Sequence, residues 1–175
     1  MSKAYVMMNC KLGEEKPIIK SLEKIVGIKE AHGTLGIYDI VAQIECTTDQ
    51  KIQEIVTKEI RKIENIQSSM TLTSSESGEL FQIEEKLMAV MLGKNNSQAY
   101  VVFHCEKGQE YPTLKNLSKI PEVKEADVVF GFYDIVCRIE SSSEEILQDV
   151  ITRAIRELPM IRTSMTLNII KEQES

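Results

Sequence analysis

Gly36-Ile37-Tyr38-Asp39-Ile40-Val41 returns later in the chain as Gly131-Phe132-Tyr133-Asp134-Ile135-Val136. Working outward, Ala4-Tyr5-Val6 returns as Ala99-Tyr100-Val101, and Ser69-Met70-Thr71-Leu72 as Ser164-Met165-Thr166-Leu167. The spacing is 95 residues each time, so 4–73 aligns with 99–168 without a gap. About 30 of those 70 pairs are identical, more than shared composition produces. The chain therefore reads as one folding unit used twice: a first module over 1–75, a connector over 76–98 and a second module over 99–175.

Within one module the hydrophobic period switches between two and 3.6. Ala4 to Cys10 alternates as a strand. Gly13 breaks it, and Pro17 suits the first turn of a helix whose buried side holds Ile18 or Ile19, Leu22 and Ile25. Strands are expected from about Ile28 to Leu35 and, after a turn at Gly36, from Tyr38 to Glu45. Thr48 or Asp49 can cap a second helix with an apolar stripe at Ile52, Ile55, Val56, Ile60 and Ile63. A last strand runs from Ile66 to Thr73. The order is β-α-β-β-α-β. In the second module Ser142-x-x-Glu145 reads as a capping box, with a stripe at Ile146, Leu147, Val150, Ile151, Ile155 and Leu158.

Two helices cover one face of a four-stranded sheet. That face is expected to carry Val6, Met8, Ile40, Ile44, Met70 and Leu72. The other face would hold Tyr5, Met7, Val41, Ser69 and Thr71, and in the second module Tyr100, Val102, Val136, Ser164 and Thr166. It is too apolar to sit in water, so the expected fold is α+β: two tandem ferredoxin-like modules with antiparallel sheets packed face to face. In the connector, Leu80, Ile83, Leu87, Val90 and Met91 suggest a short amphipathic helix, with an added edge strand as the alternative.

The bulk numbers narrow the function classes. Of 175 residues, 42% are hydrophobic and 27% charged, ordinary for a globular chain. A formal net charge of −6 disfavours direct binding to a phosphate backbone. Cys10, Cys46, Cys105 and Cys137 form no CxxC pair and read as reduced thiols rather than a disulfide framework. No apolar run reaches the roughly 18 residues of a membrane span. The N-terminus has no apolar targeting stretch. A cytoplasmic chain with no membrane role is the expectation.

The most distinctive chemistry lies in Gly-x-Tyr-Asp. Glycine permits a positive-φ turn and close backbone approach. The carboxylates of Asp39 and Asp134 could neutralise an ammonium group, and neighbouring backbone N–H groups could hold a carboxylate. That equipment suits a free α-amino acid, with Gly36, Ile37, Tyr38, Asp39, Gly131, Phe132, Tyr133 and Asp134 as candidate binding residues. Ser69, Thr71, Ser164 and Thr166 could add hydroxyls. The competing reading is a tight hairpin whose aspartate serves only its own turn, and serines and threonines that are there for β-propensity.

These residues carry a family resemblance. Gly36-Ile37-Tyr38-Asp39-Ile40 with Ser69-Met70-Thr71-Leu72, their second copies, and the Ile28–Ala31 and Val123–Ala126 strand entries resemble the C-terminal ligand-binding domain of the Lrp/AsnC (leucine-responsive, feast/famine) transcription regulators. The resemblance spans both repeats. It implies ferredoxin-like modules paired sheet to sheet, further assembly into a homo-oligomer, and amino-acid effectors bound near the Gly-x-Tyr-Asp turn. Family members carry an N-terminal helix-turn-helix. Here the first strand begins by Ala4, so the expectation is a duplicated sensor half without direct DNA binding, acting through partners such as full-length regulators.

The alternatives are an adaptor or assembly protein that pairs with full-length regulators and, after it, a small enzyme, since the fold class also includes small monooxygenases and haem-handling proteins. The two histidines, His32 and His104, align with Asp127 and Asn9, so neither recurs. No nucleophile–base pair or phosphate loop repeats. No catalytic residue, metal site or cofactor is expected.

Overall fold

The computed structural model describes residues 1–74 and 97–170. The expected connector helix lies outside them. Contacts divide the chain into two compact units, one built on Met1–Ser74 and one extending to Asn168.

The first module runs β1 (Ser2–Cys10), α1 (Glu15–Glu23), β2 (Ile28–Leu35), β3 (Ile40–Cys46), α2 (Asp49–Glu54) and β4 (Ile66–Ser74). β1 pairs antiparallel with both β3 and β4, and β2 pairs with β3, giving the order β4-β1-β3-β2. Gly13, at φ +87°, makes the turn into α1. Thr48 caps α2, its hydroxyl accepting from the Lys51 amide at 3.2 Å. α2 continues through a π-helical stretch, Ile55–Ile60, where the Arg61 amide donates to the Val56 carbonyl at 3.0 Å. The wider turn keeps Ile52, Val56 and Ile60 on the sheet side, all buried. Ala4, Val6 and Met8 of β1 and Ile40, Ala42 and Ile44 of β3 pack with Ile18, Ile19 and Leu22 of α1 in one core.

The second module repeats this with β5 (Ser97–Cys105), α3 (Glu110–Leu117), β6 (Val123–Phe130), β7 (Ile135–Ser141), α4 (Glu144–Val150) and β8 (Ile161–Ile169). Its sheet order is β8-β5-β7-β6, and a π-helical stretch, Ile151–Ile155, again follows the last helix. Ala99, Val101, Phe103, Ile135, Cys137 and Ile139 form its core with Leu114, Leu117, Leu147, Ile151 and Ile155.

Several details differ from the sequence expectations. β3 begins at Ile40, because Tyr38 and Asp39 belong to the turn. The α4 cap is Ser143, which accepts from the Ile146 amide at 3.2 Å, not Ser142; it occupies the position of Thr48 in the first module. Ile146 is exposed rather than part of the buried stripe. The largest correction concerns the fourth strand. Val6 faces Thr71 and Met8 faces Ser69, while Tyr5 faces Leu72 and Met7 faces Met70. Ser69 and Thr71 therefore share the helix-covered face, and Met70 and Leu72 lie on the other. β8 shows the same phase, with Val101 opposite Thr166 and Phe103 opposite Ser164. A one-residue slip exchanges every side chain between faces. Alternation alone does not fix the phase of β4, because Met70 and Leu72 suit either face once both are covered. Tyr5, Met7, Val41, Gln43 and Leu72, on the second face, are all buried.

Candidate functional site

β1 and β5 each carry a register shift near their ends, between Asn9 and Cys10 and between His104 and Cys105. A bulge of this kind takes a residue out of the ladder and leaves its backbone groups needing partners. In the first module the Cys10 amide donates to Asp39 Oδ2 at 3.0 Å. Asp39 also donates its own amide to the Met8 carbonyl at 2.9 Å and accepts at its carbonyl from the Thr34 amide at 2.8 Å. Thr34 Oγ1 donates to the Tyr38 carbonyl at 2.9 Å. The Tyr38 hydroxyl reaches across to Met70 Sδ at 3.7 Å, on the face away from the helices.

The second module reproduces this bond for bond, except that Val129 stands in place of Thr34. The Cys105 amide donates to Asp134 Oδ2 at 3.0 Å. The Asp134 amide donates to the Phe103 carbonyl at 3.1 Å, and the Val129 amide to the Asp134 carbonyl at 2.8 Å. Tyr133 meets Met165 Sδ at 3.7 Å. Gly36 and Gly131 open the two turns at φ +156° and +143°, which favour glycine. The aspartate is thus a staple between the turn and the bulged strand, and any ligand role is in addition to that one.

What projects from each turn is apolar. Leu35 and Ile37 flank Gly36, Phe130 and Phe132 flank Gly131, and all four side chains are exposed. Tyr38, Asp39, Tyr133 and Asp134 are half-buried beneath them. The structure therefore gathers Gly36, Ile37, Tyr38 and Asp39, and likewise Gly131, Phe132, Tyr133 and Asp134, at one end of each sheet. It does not bring Ser69, Thr71, Ser164 or Thr166 to the face that Tyr38 and Tyr133 reach. The hydroxyls of Thr71 and Thr166 are buried and have no hydrogen-bond partner among the described residues.

Sequence reasoning missed three contributors. Met70 and Met165 recur in the aligned repeat, and the hydrophobic pattern places Met70 in the core under the helices. The amides of Cys10 and Cys105 left no side-chain signal. His104 was discounted because it does not recur, yet its ring stacks on Tyr133 at 4.7 Å between centroids and lies edge-on to Phe132 at 5.6 Å. Its Nδ1 stands 3.5 Å from Asp134 Oδ2. The first module has Asn9 there, donating to Ser68 Oγ at 3.3 Å.

The thiols beside the turns are poor nucleophiles. Burial, reinforced by Glu15 and Asp39, pushes Cys10 up to about 11, and burial with Asp134 and Glu110 does the same to Cys105, to about 11. Among the described residues no group of three His, Cys, Asp or Glu side chains is placed to hold a metal ion, and no helix is long and apolar enough to cross a membrane.

A family model described as the Lrp/AsnC ligand binding domain matches the chain twice, over residues 3–77 and 98–175. No curated protein matches it. Among solved structures, FFRP-DM1 is 28% identical over 43% of this chain and 100% of its own, with a TM-score of 0.42. E. coli AsnC is 25% identical over 43% of this chain and 52% of its own, with a TM-score of 0.40. The siroheme decarboxylase NirDL aligns with 97% of this chain and 71% of its own at a TM-score of 0.68, but at 8% identity, a likeness of fold alone.

Proposed function

From membership of the Lrp/AsnC ligand-binding domain family, to which this chain belongs, we propose that it is a non-enzymatic sensor of free amino acids or closely related metabolites. The observation that supports this most directly is the Gly-x-Tyr-Asp turn, stapled alike in both modules and carrying exposed apolar side chains above a half-buried carboxylate. A ligand ammonium would meet Asp39 or Asp134. Its carboxylate would take backbone N–H groups near Gly36 or Gly131, and its side chain would lie against Ile37 or Phe132. Ser69, Thr71, Ser164 and Thr166 drop out of the reading, since they share the helix-covered face. A net charge of −6 argues against direct contact with duplex DNA, so the signal would pass by self-assembly or through full-length regulators of the same family inside the cell.

A thermal-shift screen of the whole chain against the twenty amino acids and closely related metabolites tests this. A ligand that binds only the folded state stabilises by mass action, about 2.7 kcal/mol at a hundred times Kd. A rise in Tm with at least one of these compounds is expected, and no rise with any of them would sink the reading.

A further inference from the structure

The two turns share a backbone and differ in what they present. We infer that they sort ligands by side chain: the second-module turn takes an amino acid with an aromatic side chain, while the first-module turn takes an aliphatic one. This rests on the proposed function and specifies the ligand class of the same site.

In the first module the groups around the turn are Leu35, Ile37 and Asn9. Leu35 and Ile37 are branched aliphatic chains, 63% and 65% exposed, and they offer area without directional preference. Asn9 is turned to Ser68. In the second module the same positions hold Phe130, Phe132 and His104. Phe132 meets Tyr133 edge-on, with centroids 5.3 Å apart and planes at 78°. His104 stacks on Tyr133 at 26° and meets Phe132 at 70°. Three rings thus hold one another in the offset and edge-to-face arrangements that aromatic quadrupoles favour. Phe132 is 68% exposed, which leaves ring surface for a further partner. Asp134 lies at the base of the group, its side chain 36% exposed and its Oδ2 3.5 Å from His104 Nδ1. Phe132 and Asp134 both stand against His104, so a ring laid on Phe132 would lie in the same cluster as that carboxylate, and the first module has no such set of rings.

The test exchanges the turns' own residues, so each variant side chain is one the scaffold already carries in its other copy. Binding of L-phenylalanine and L-leucine to the whole chain is measured by calorimetry for wild type, for His104→Asn with Phe132→Ile, and for Asn9→His with Ile37→Phe. Circular dichroism confirms folding of each. The first double variant should weaken L-phenylalanine binding about fivefold or more and gain L-leucine binding at the second turn. The second should gain L-phenylalanine binding. Unchanged L-phenylalanine affinity in the folded His104→Asn/Phe132→Ile chain overturns the sorting and leaves amino-acid sensing standing. Absence of L-phenylalanine binding to wild type overturns the sorting, and a thermal-shift screen in which no compound stabilises wild type overturns both.

Discussion

The two modules have the same hydrogen bonds at their turns and different polar groups on their sheets. Where the second module buries Arg138, the first buries Gln43. Arg138 stands 3.5 Å from Glu125 and 3.4 Å from Glu140, and all three side chains are nearly inaccessible. The first-module charges are wetter: Lys29 pairs with Glu45 at 3.3 Å with side chains 39% and 29% exposed, and His32 Nε2 lies 3.0 Å from Glu30 Oε2. The backbone staple and the apolar core are therefore what this duplication holds in common, and the sheet charges and turn tips are what it varies. Function that needs both modules alike should depend on the former, and any division of labour between them on the latter.

The strongest break in the comparison is Arg138→Gln, which gives the second module the first module's residue. It removes the guanidinium that stands against Glu125 and Glu140, and removing one partner of a buried ion pair typically costs about 3–5 kcal/mol. Gln43→Ala removes a neutral amide and should cost about 1–2 kcal/mol. Urea unfolding of the two variants checks this. Equal losses would mean that the second module's charges are solvated in practice.

Asp39→Ala and Asp134→Ala come next, and here the modules should agree. Each leaves a bulge amide without its acceptor, at about 1–2 kcal/mol, because the bonds are alike at 3.0 Å. The alanine variants therefore confound stability with ligand binding. Asp39→Asn and Asp134→Asn separate the two: an amide oxygen can still accept from Cys10 or Cys105, while the charge that would meet an ammonium is gone. Loss of ligand-induced stabilisation with unchanged urea midpoint is the expected outcome for asparagine.

How much of this was legible in the sequence follows from what each feature depends on. The repeat and the element order came from periodicity, which side-chain chemistry sets locally. The phase of β4 did not, because Met70 and Leu72 alternate equally well on either face, and only the pairing of Val6 with Thr71 decides between them. The staple was half legible: Gly-x-Tyr-Asp stood out, but its partner is a backbone amide 29 residues away, which carries no residue signature. His104 was discounted for lacking a repeat, although a feature that distinguishes two copies has to be one that does not recur.

Alkaline pH offers a further distinction. Cys137 lies in the second core where the first has Ala42, and burial pushes its thiol up from 9.0 to about 12, with a backbone hydrogen bond from Val101 pulling the other way. Below pH 9 the thiol is neutral folded or unfolded and has no effect. Between pH 9 and 12 the unfolded chain releases that proton while the folded one keeps it, so stability falls as pH rises. At pH 10 the loss is about 1.4 kcal/mol for such a thiol. Cys137→Ala should flatten that part of the pH–stability curve when unfolding is followed from pH 8 to 10.5. An unchanged slope would place the sensitivity in other groups.

The smallest effect carries the opposite sign. Thr71 and Thr166 hold equivalent positions, and each buries a hydroxyl that no described residue satisfies. A buried hydroxyl without a partner costs free energy that a methyl group of similar size does not. Thr71→Val and Thr166→Val should therefore each stabilise by about 0.5–1 kcal/mol, with valine also suiting a strand. The comparison sharpens here because both positions lie under the helices, far in kind from the variable turn tips, so the two gains should match. A loss on valine substitution would show that each hydroxyl has a partner in solution, such as an ordered water. A gain in one module and a loss in the other would show that the copies have diverged on the helix-covered face as well. Matched stabilisation, read as a shift in the urea midpoint at constant slope, would confine the divergence to the sheet charges and the turns.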